Sequence, residues 1–250
     1  PDAVVALEEY EGCRDKSMYN LMCLDFLLVG GIGILPGDTC VIYAKDLAFK
    51  CQNPSKLELH LFVRALLWCV RNEIKTEMDF WFNILGPLPD NLSDVDFIFD
   101  LFYLECFICK AVQMFNEKEL SHDNFKIKMK EFYKFIKRIE TAVPASVNFV
   151  RPLLFFLKSY IYKLLDNNEK YLNYITKATH ECNRCNNVTI RIWIEHCQTV
   201  WDNPRHPSLK NWSKYSRLIQ YISHKNWNLK DWSNIMYSLP LCKVESSLEE

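Results

Sequence analysis

From Phe149 to Asn203 the chain alternates three amphipathic stretches with two short polar breaks, and no other feature limits its fold as strongly. The first stretch places Leu153, Phe156, Leu157, Tyr160, Ile161 and Leu164 on one side. The second aligns Leu172, Ile175, Thr179 and Cys182, with Ala178 small enough for a neighbouring helix to approach closely. The third carries Ile190, Trp193, Ile194, Cys197 and Trp201. Apolar residues three and four apart share one face of an α-helix, so each stretch reads as a helix that buries that face. The breaks DNNEK and NRCNN have the length that joins antiparallel helices into hairpins.

The rest of the chain keeps this rhythm. A helix is predicted over Ser17–Val29, and Asp38 is a candidate N-cap for a second that runs through Cys51. Ser55-Lys56-Leu57-Glu58 is a capping box, in which serine and glutamate each satisfy a free backbone N–H. The helix it opens carries Leu59, Phe62, Val63, Leu66, Leu67 and Val70 on one face, and an aromatic turn or two follows over Glu77–Ile84. GPLPDNLSD then breaks the chain, since two prolines in three residues cannot continue a helix. Ser93 or Asp94 is expected to cap a helix running to Phe115, apolar almost all round and therefore central in the core. Asn124–Ala142 is two-faced, with Phe125, Met129, Phe132, Ile136 and Ile139 opposite Lys126, Lys130, Lys134 and Lys137.

No stretch shows the alternation of a half-buried strand, and six glycines in 250 residues is well below the ~7% average. The expected fold class is therefore all-α, with antiparallel hairpins stacked as a degenerate tetratricopeptide-like α-solenoid. Only fragments of the tetratricopeptide signature are present. Residues 1–86 read as N-terminal hairpins, 93–203 as a central array and 204–250 as a tryptophan-rich helix and tail, all within one continuous array. Beginning at Pro1 without methionine, the sequence reads as a piece of a longer chain.

Chemistry-bearing motifs are few. Cys182-x-x-Cys185 has His180 close by, but no second pair completes a tetrahedral zinc set, so a turn with buried cysteine is the better reading. Gly30-Gly31-Ile32-Gly33 lacks both the third glycine of a dinucleotide loop and the Gly-Lys-Ser/Thr of a Walker loop. Asp94 and Asp96 stand at a helix start, where capping explains them. No catalytic residue, metal site or cofactor is expected. Most of the eleven cysteines, including Cys23, Cys40, Cys51, Cys69, Cys106 and Cys197, lie in apolar stripes, which suits buried free thiols in a reducing, cytoplasmic compartment. A net charge of −1 leaves no overall field for nucleic acid, and no apolar run is long enough to span a bilayer. The candidate partner contacts are Lys126, Lys130, Lys134 and Lys137, with Trp212 and Trp227 of the tryptophan-rich last third.

One stretch also carries a family likeness. Tyr174-Ile175-x-Lys177-Ala178, Cys182, Asn186-Asn187, Trp193-Ile194 and Val200-Trp201, with Asp231-Trp232 and Ser238-Leu239-Pro240 further on, resemble the C-terminal helical region of soluble (type 10) adenylyl cyclases. In that family two N-terminal cyclase domains make cyclic AMP from ATP, and a long non-catalytic remainder with degenerate tetratricopeptide-like helices follows. This chain holds no cyclase domain, so no catalytic or nucleotide-binding residue carries over. The resemblance implies a regulatory or scaffolding module that binds a protein partner or other domains of its parent chain. The alternative is a self-contained helical enzyme or ligand-binding protein with a pocket between helices.

Overall fold

The structure is a computed structural model that describes residues 16–30, 35–90, 92, 96–144, 147–202 and 238–242. The described residues form nine α-helices and no β-strand: α1 Lys16–Asp25, α2 Gly37–Lys50, α3 Lys56–Arg71, α4 Lys75–Leu85, α5 Phe97–Asn116, α6 His122–Ala142, α7 Arg151–Leu164, α8 Asn168–Arg184 and α9 Val188–Asp202. A π-helical turn, Phe26–Gly30, follows α1, and a 3-10 turn, Asn148–Val150, leads into α7. The fold is all-α among these residues.

Helix starts follow the sequence chemistry. Ser55 and Glu58 close both halves of the capping box on α3. Asp96 caps α5 by accepting from the Phe99 amide at 2.7 Å, and Ser121 caps α6 in the same way through Asn124. Asn167 and Asn187 serve α8 and α9. Ser93 and Asp94, the caps expected for α5, lie outside the described residues, as do Gly31 to Gly33. Asp38 departs from expectation. Pro36 precedes α2 as its N-cap residue, and Asp38, inside the first turn, accepts a 3.0 Å bond from the Trp68 indole. A tertiary partner has taken the carboxylate that was expected to cap.

Helix ends share one solution. α3, α5, α8 and the α7–α8 turn each close with a non-glycine residue in the left-handed region: Glu73, Lys118, Asn186 and Asp166. In each, the following amide bonds the carbonyl five residues back, as in Ile74 to Cys69 and Asn187 to Cys182. The left-handed residue's own amide bonds three back, as in Glu73 to Val70. That pair of bonds is the Schellman motif, which satisfies carbonyls that the helix end would otherwise leave bare.

α3 and α5 are the central helices. Every residue from Leu61 to Val70 is buried, and so is every residue from Phe99 to Cys106. α3 packs on α1, α2, α4 and α5, while α5 passes the core on to α6 and α7. α7 and α8 form a close antiparallel hairpin, with Ala178 fully buried. α9 lies on α8 and α7 and also reaches the π-turn after α1, so the last described helix returns to the first. Buried side chains form one cluster from Tyr19 to Leu239.

The predicted core stripe of α6 is wholly buried, and those of α3, α7 and α9 are buried except for half-buried Leu59, Leu164 and Ile190. Leu172 of α8 is 57% exposed, because Tyr171, Ile175, Ala178 and Cys182 make the buried face in its place. Cys51, at the end of α2, is only half-buried, with its Sγ 3.8 Å from Glu58. None of the described helices is long and apolar enough to cross a membrane.

Candidate contact surface

The lysine face of α6 is the feature around which a contact surface can be built. Phe125, Met129, Phe132, Phe135, Ile136 and Ile139 anchor the helix to the core, which turns Lys126, Lys130, Lys134 and Lys137 outward. All four are exposed. At about 100° per residue, Lys126, Lys130, Tyr133 and Lys137 share an arc of roughly 60°, with Lys134 at its edge.

Tyr133 joins this arc to the neighbouring hairpin. Its hydroxyl lies 3.3 Å from that of Tyr174 on α8, and its ring stands edge-on to Tyr162 of α7 at 5.2 Å. Tyr162 and Tyr174 are stacked within 5° of parallel at 5.6 Å, and Phe155 also stacks on Tyr174, at 6.3 Å. Three helices thus contribute to one half-buried aromatic ladder. Burial, together with the Tyr162 and Tyr174 hydroxyls, pushes the Tyr133 phenol well above its usual range, so it stays a neutral hydrogen-bonding group.

Cations surround the ladder. Lys137 lies 5.6 Å over Tyr133, Lys170 5.2 Å over Tyr162 and Lys177 5.1 Å over Tyr174. The electron-rich ring faces attract each ammonium group and hold it near the surface of the ladder. Lys158 sits behind the rings, fully buried, 5.3 Å from the Tyr174 centroid and paired with Glu140 at 2.5 Å. That pairing neutralises Glu140 at the border of the arc, and Glu131 falls outside it, while the exposed Asp123 of the first turn lies on the lysine side by periodicity. The positive surface continues from α6 onto α8 through Lys170 and Lys177. Tyr133 was not singled out from the sequence although its spacing from Lys126, Lys130 and Lys137 carries the signal, and Tyr162, Tyr174, Lys170 and Lys177 arrive from other helices, which periodicity within α6 cannot relate.

The other predicted residues fall elsewhere. Trp212 and Trp227 lie outside the described residues. Trp193 and Trp201 are core residues, with Trp201 stacked on Tyr160 and Phe156. Cys182 is buried on α8, and Cys185 is half-buried at its C-cap, with its thiol directed at the Cys182 carbonyl. Among the described residues no three His, Cys, Asp or Glu side chains converge as a metal-ion site.

Two clefts of about 410 Å³ flank α6. One, walled by Phe82, Phe107, Met114 and Phe132, includes Lys110 and Lys128, a lining suited to an apolar group with an anionic end. The other holds His122, Lys126, Asp166 and Cys242, and burial raises the Cys242 thiol to about 11, which keeps it protonated at neutral pH. The remaining strongly displaced groups sit in the closed interior. Burial raises Glu105, Cys106, Cys109 and Tyr160, and Arg71 is held charged against its own burial by Glu105.

Searches of known protein families, curated proteins and solved structures return no match to this chain.

Proposed function

We propose that this chain is a non-catalytic regulatory or scaffolding module that works by protein contact. The reading rests on one observation: the lysine arc of α6 continues onto α8 through the Tyr133–Tyr162–Tyr174 ladder, where three of its ammonium groups lie over ring faces. Such a surface suits an acidic protein segment. The lysines steer it in, and the ring faces and tyrosine hydroxyls offer contacts that a lone lysine row lacks. The hairpin arrangement, with its four repeated Schellman turns, fits a degenerate tetratricopeptide-like array wound closely enough for its last described helix to meet the turn after the first. The resemblance to the C-terminal region of soluble adenylyl cyclases makes the cyclase domains of a parent chain the natural partner, in the cytoplasm.

The test pairs two measurements on the full chain. A labelled acidic peptide is titrated against wild type and against the Lys126→Glu, Lys130→Glu, Lys134→Glu, Lys137→Glu variant; binding should fall by tenfold or more, and Tyr174→Ala alone should weaken it severalfold. A single-stranded RNA of equal charge that binds more tightly than the peptide overturns the protein-contact reading. Appreciable cyclic AMP formation from ATP with magnesium or manganese overturns the non-catalytic one.

A further inference from the structure

Three helices converge their side-chain donors on a single stretch of non-helical backbone. Trp201 Nε1, on α9, donates to the Leu239 carbonyl at 2.8 Å. Tyr160 Oη, on α7, donates to the Pro240 carbonyl, and Asn116 Nδ2, at the end of α5, donates to the Leu241 carbonyl at 3.1 Å. Ser238–Cys242 is neither helix nor strand, and Leu239 is 1% exposed inside the main cluster. Leu241 and Cys242 pack on the same cluster from partly buried positions.

The donors have contacts of their own besides those to the segment. Trp201 is stacked 5.5 Å from Tyr160 at 11° and 5.9 Å from Phe156 at 13°, so the indole N–H has a fixed direction. Burial pushes the Tyr160 phenol far above its usual range, which keeps its proton available for donation. All the named donors stand on the helices and all the acceptors on the segment. The central residue, Pro240, is held through its carbonyl alone, so the amide hydrogen that proline lacks costs nothing there. One leucine side chain supplies the apolar anchor. These are the traits of a peptide site, in which backbone bonds fix the bound stretch and a pocket reads one side chain.

The segment also lies far along the chain from its donors. Residues 203–237 separate it from α9, yet Leu239 returns to the side of Trp201. We propose that α5, α7 and α9 form a peptide-binding slot for a short non-helical segment of Leu-Pro-Leu character, which Ser238–Cys242 fills in cis and a free peptide of that chemistry can fill in its place. This slot is separate from the lysine–tyrosine surface and does not depend on the function proposed for it.

A labelled peptide with the Ser238–Cys242 sequence, Cys242→Ser and glycine flanks, is titrated against full-length wild type and against full-length Leu239→Asp. A charge at position 239 expels the tethered segment from an apolar interior. A tethered occupant competes at an effective concentration on the order of millimolar, so the peptide should bind Leu239→Asp at least tenfold more tightly than wild type. Tyr160→Phe in the Leu239→Asp background should weaken that binding about tenfold through loss of one buried bond. A second readout needs no variant. Excess peptide should raise the alkylation rate of Cys242 in wild type severalfold, read by peptide mapping, whereas a peptide with Leu239→Asp should leave it unchanged. Absence of saturable binding to a natively folded Leu239→Asp chain overturns the proposal. So does equal binding to both chains, or a Cys242 rate that saturating peptide does not move.

Discussion

Arg71 and Glu105 form an ion pair from which water is shut out, with side-chain exposures of 1% and 0%. The pair joins α3 to α5, and the same guanidinium donates to the Leu28 carbonyl of the π-turn at 2.5 Å and lies 4.9 Å over the Trp193 ring of α9. One side chain thereby ties together the elements where the last described helix meets the turn after the first. Among the described residues Glu105 Oε2 and Arg71 Nε have no hydrogen-bonding partner, so the pair is incompletely compensated there.

The pair should therefore be costly to break and cheap to replace. Arg71→Ala or Glu105→Ala alone leaves a bare charge in the core and should destabilise the chain by about 3–5 kcal/mol. Arg71→Met combined with Glu105→Leu removes both charges at similar volume and should restore most of that loss. Urea unfolding of the two single variants and the double variant measures the coupling. A double variant as unstable as the sum of the singles would show that the charges contribute more than their desolvation costs.

Asp96 predicts a pH effect confined to the acid limb. Burial disfavours its charge, but the 2.8 Å bond to His60 and the bond from the Phe99 amide outweigh that, and its pKa falls below the ordinary value. A carboxylate lowered in the folded state adds stability above its unfolded pKa of about 3.9, and that stability disappears as pH falls through the folded value. Asp96→Asn keeps a capping oxygen but cannot ionise. Wild type should exceed Asp96→Asn in stability at neutral pH, and the gap should close below about pH 4. A gap that holds constant from neutral to acid in chemical denaturation removes the ionic part of the argument.

The helices were readable because their apolar spacing reports burial directly, and α6 shows it best: every residue of its predicted stripe is buried and every predicted lysine exposed. α5 was readable as a central helix for the same reason. α3, equally central, was read only as one-faced, and the burial of its charged residues Arg64 and Arg71, like that of Asp100 and Glu105 on α5, depends on partners from other helices. The partners of the two arginines, Asp25 and Glu105, lie on α1's last turn and on α5. No local pattern pairs them. Lys158 was concealed in the same way, by Glu140 and an aromatic box from other helices. The contact surface was half legible: its lysines belong to one helix, its tyrosine ladder to three.

Gly37 and Trp68 make a close-packed contact that tolerates no side chain. A Cβ at position 37 would stand 2.3 Å from Cε2 and Cζ2 of Trp68, and that ring is held by its own bond to Asp38. Gly37→Ala should therefore destabilise the chain by about 1–3 kcal/mol, although alanine is the better helix former. Trp68→Leu clears the space, so in its background the Gly37→Ala cost should shrink to below about 1 kcal/mol. Guanidinium unfolding of the four chains decides the point, and a cost unchanged by Trp68→Leu locates the strain elsewhere.

The left-handed turns make the opposite prediction about glycine. Glu73 (φ 56°) and Lys118 (φ 63°) are exposed residues in a conformation that costs a side chain about 1–2 kcal/mol. Asp166 and Asn186 occupy the same position in the other two turns, where their short polar side chains suit the geometry better. Glycine relieves the strain but adds freedom to the unfolded chain, which offsets part of the gain. Glu73→Gly and Lys118→Gly should each stabilise by about 0.5–1 kcal/mol, whereas Asn186→Gly should change little. Glu73→Ala provides the control. It removes the same carboxylate but keeps a Cβ in the left-handed region, so it should gain nothing. If Glu73→Ala stabilises as much as Glu73→Gly in thermal and urea unfolding, charge removal rather than backbone strain is the cause.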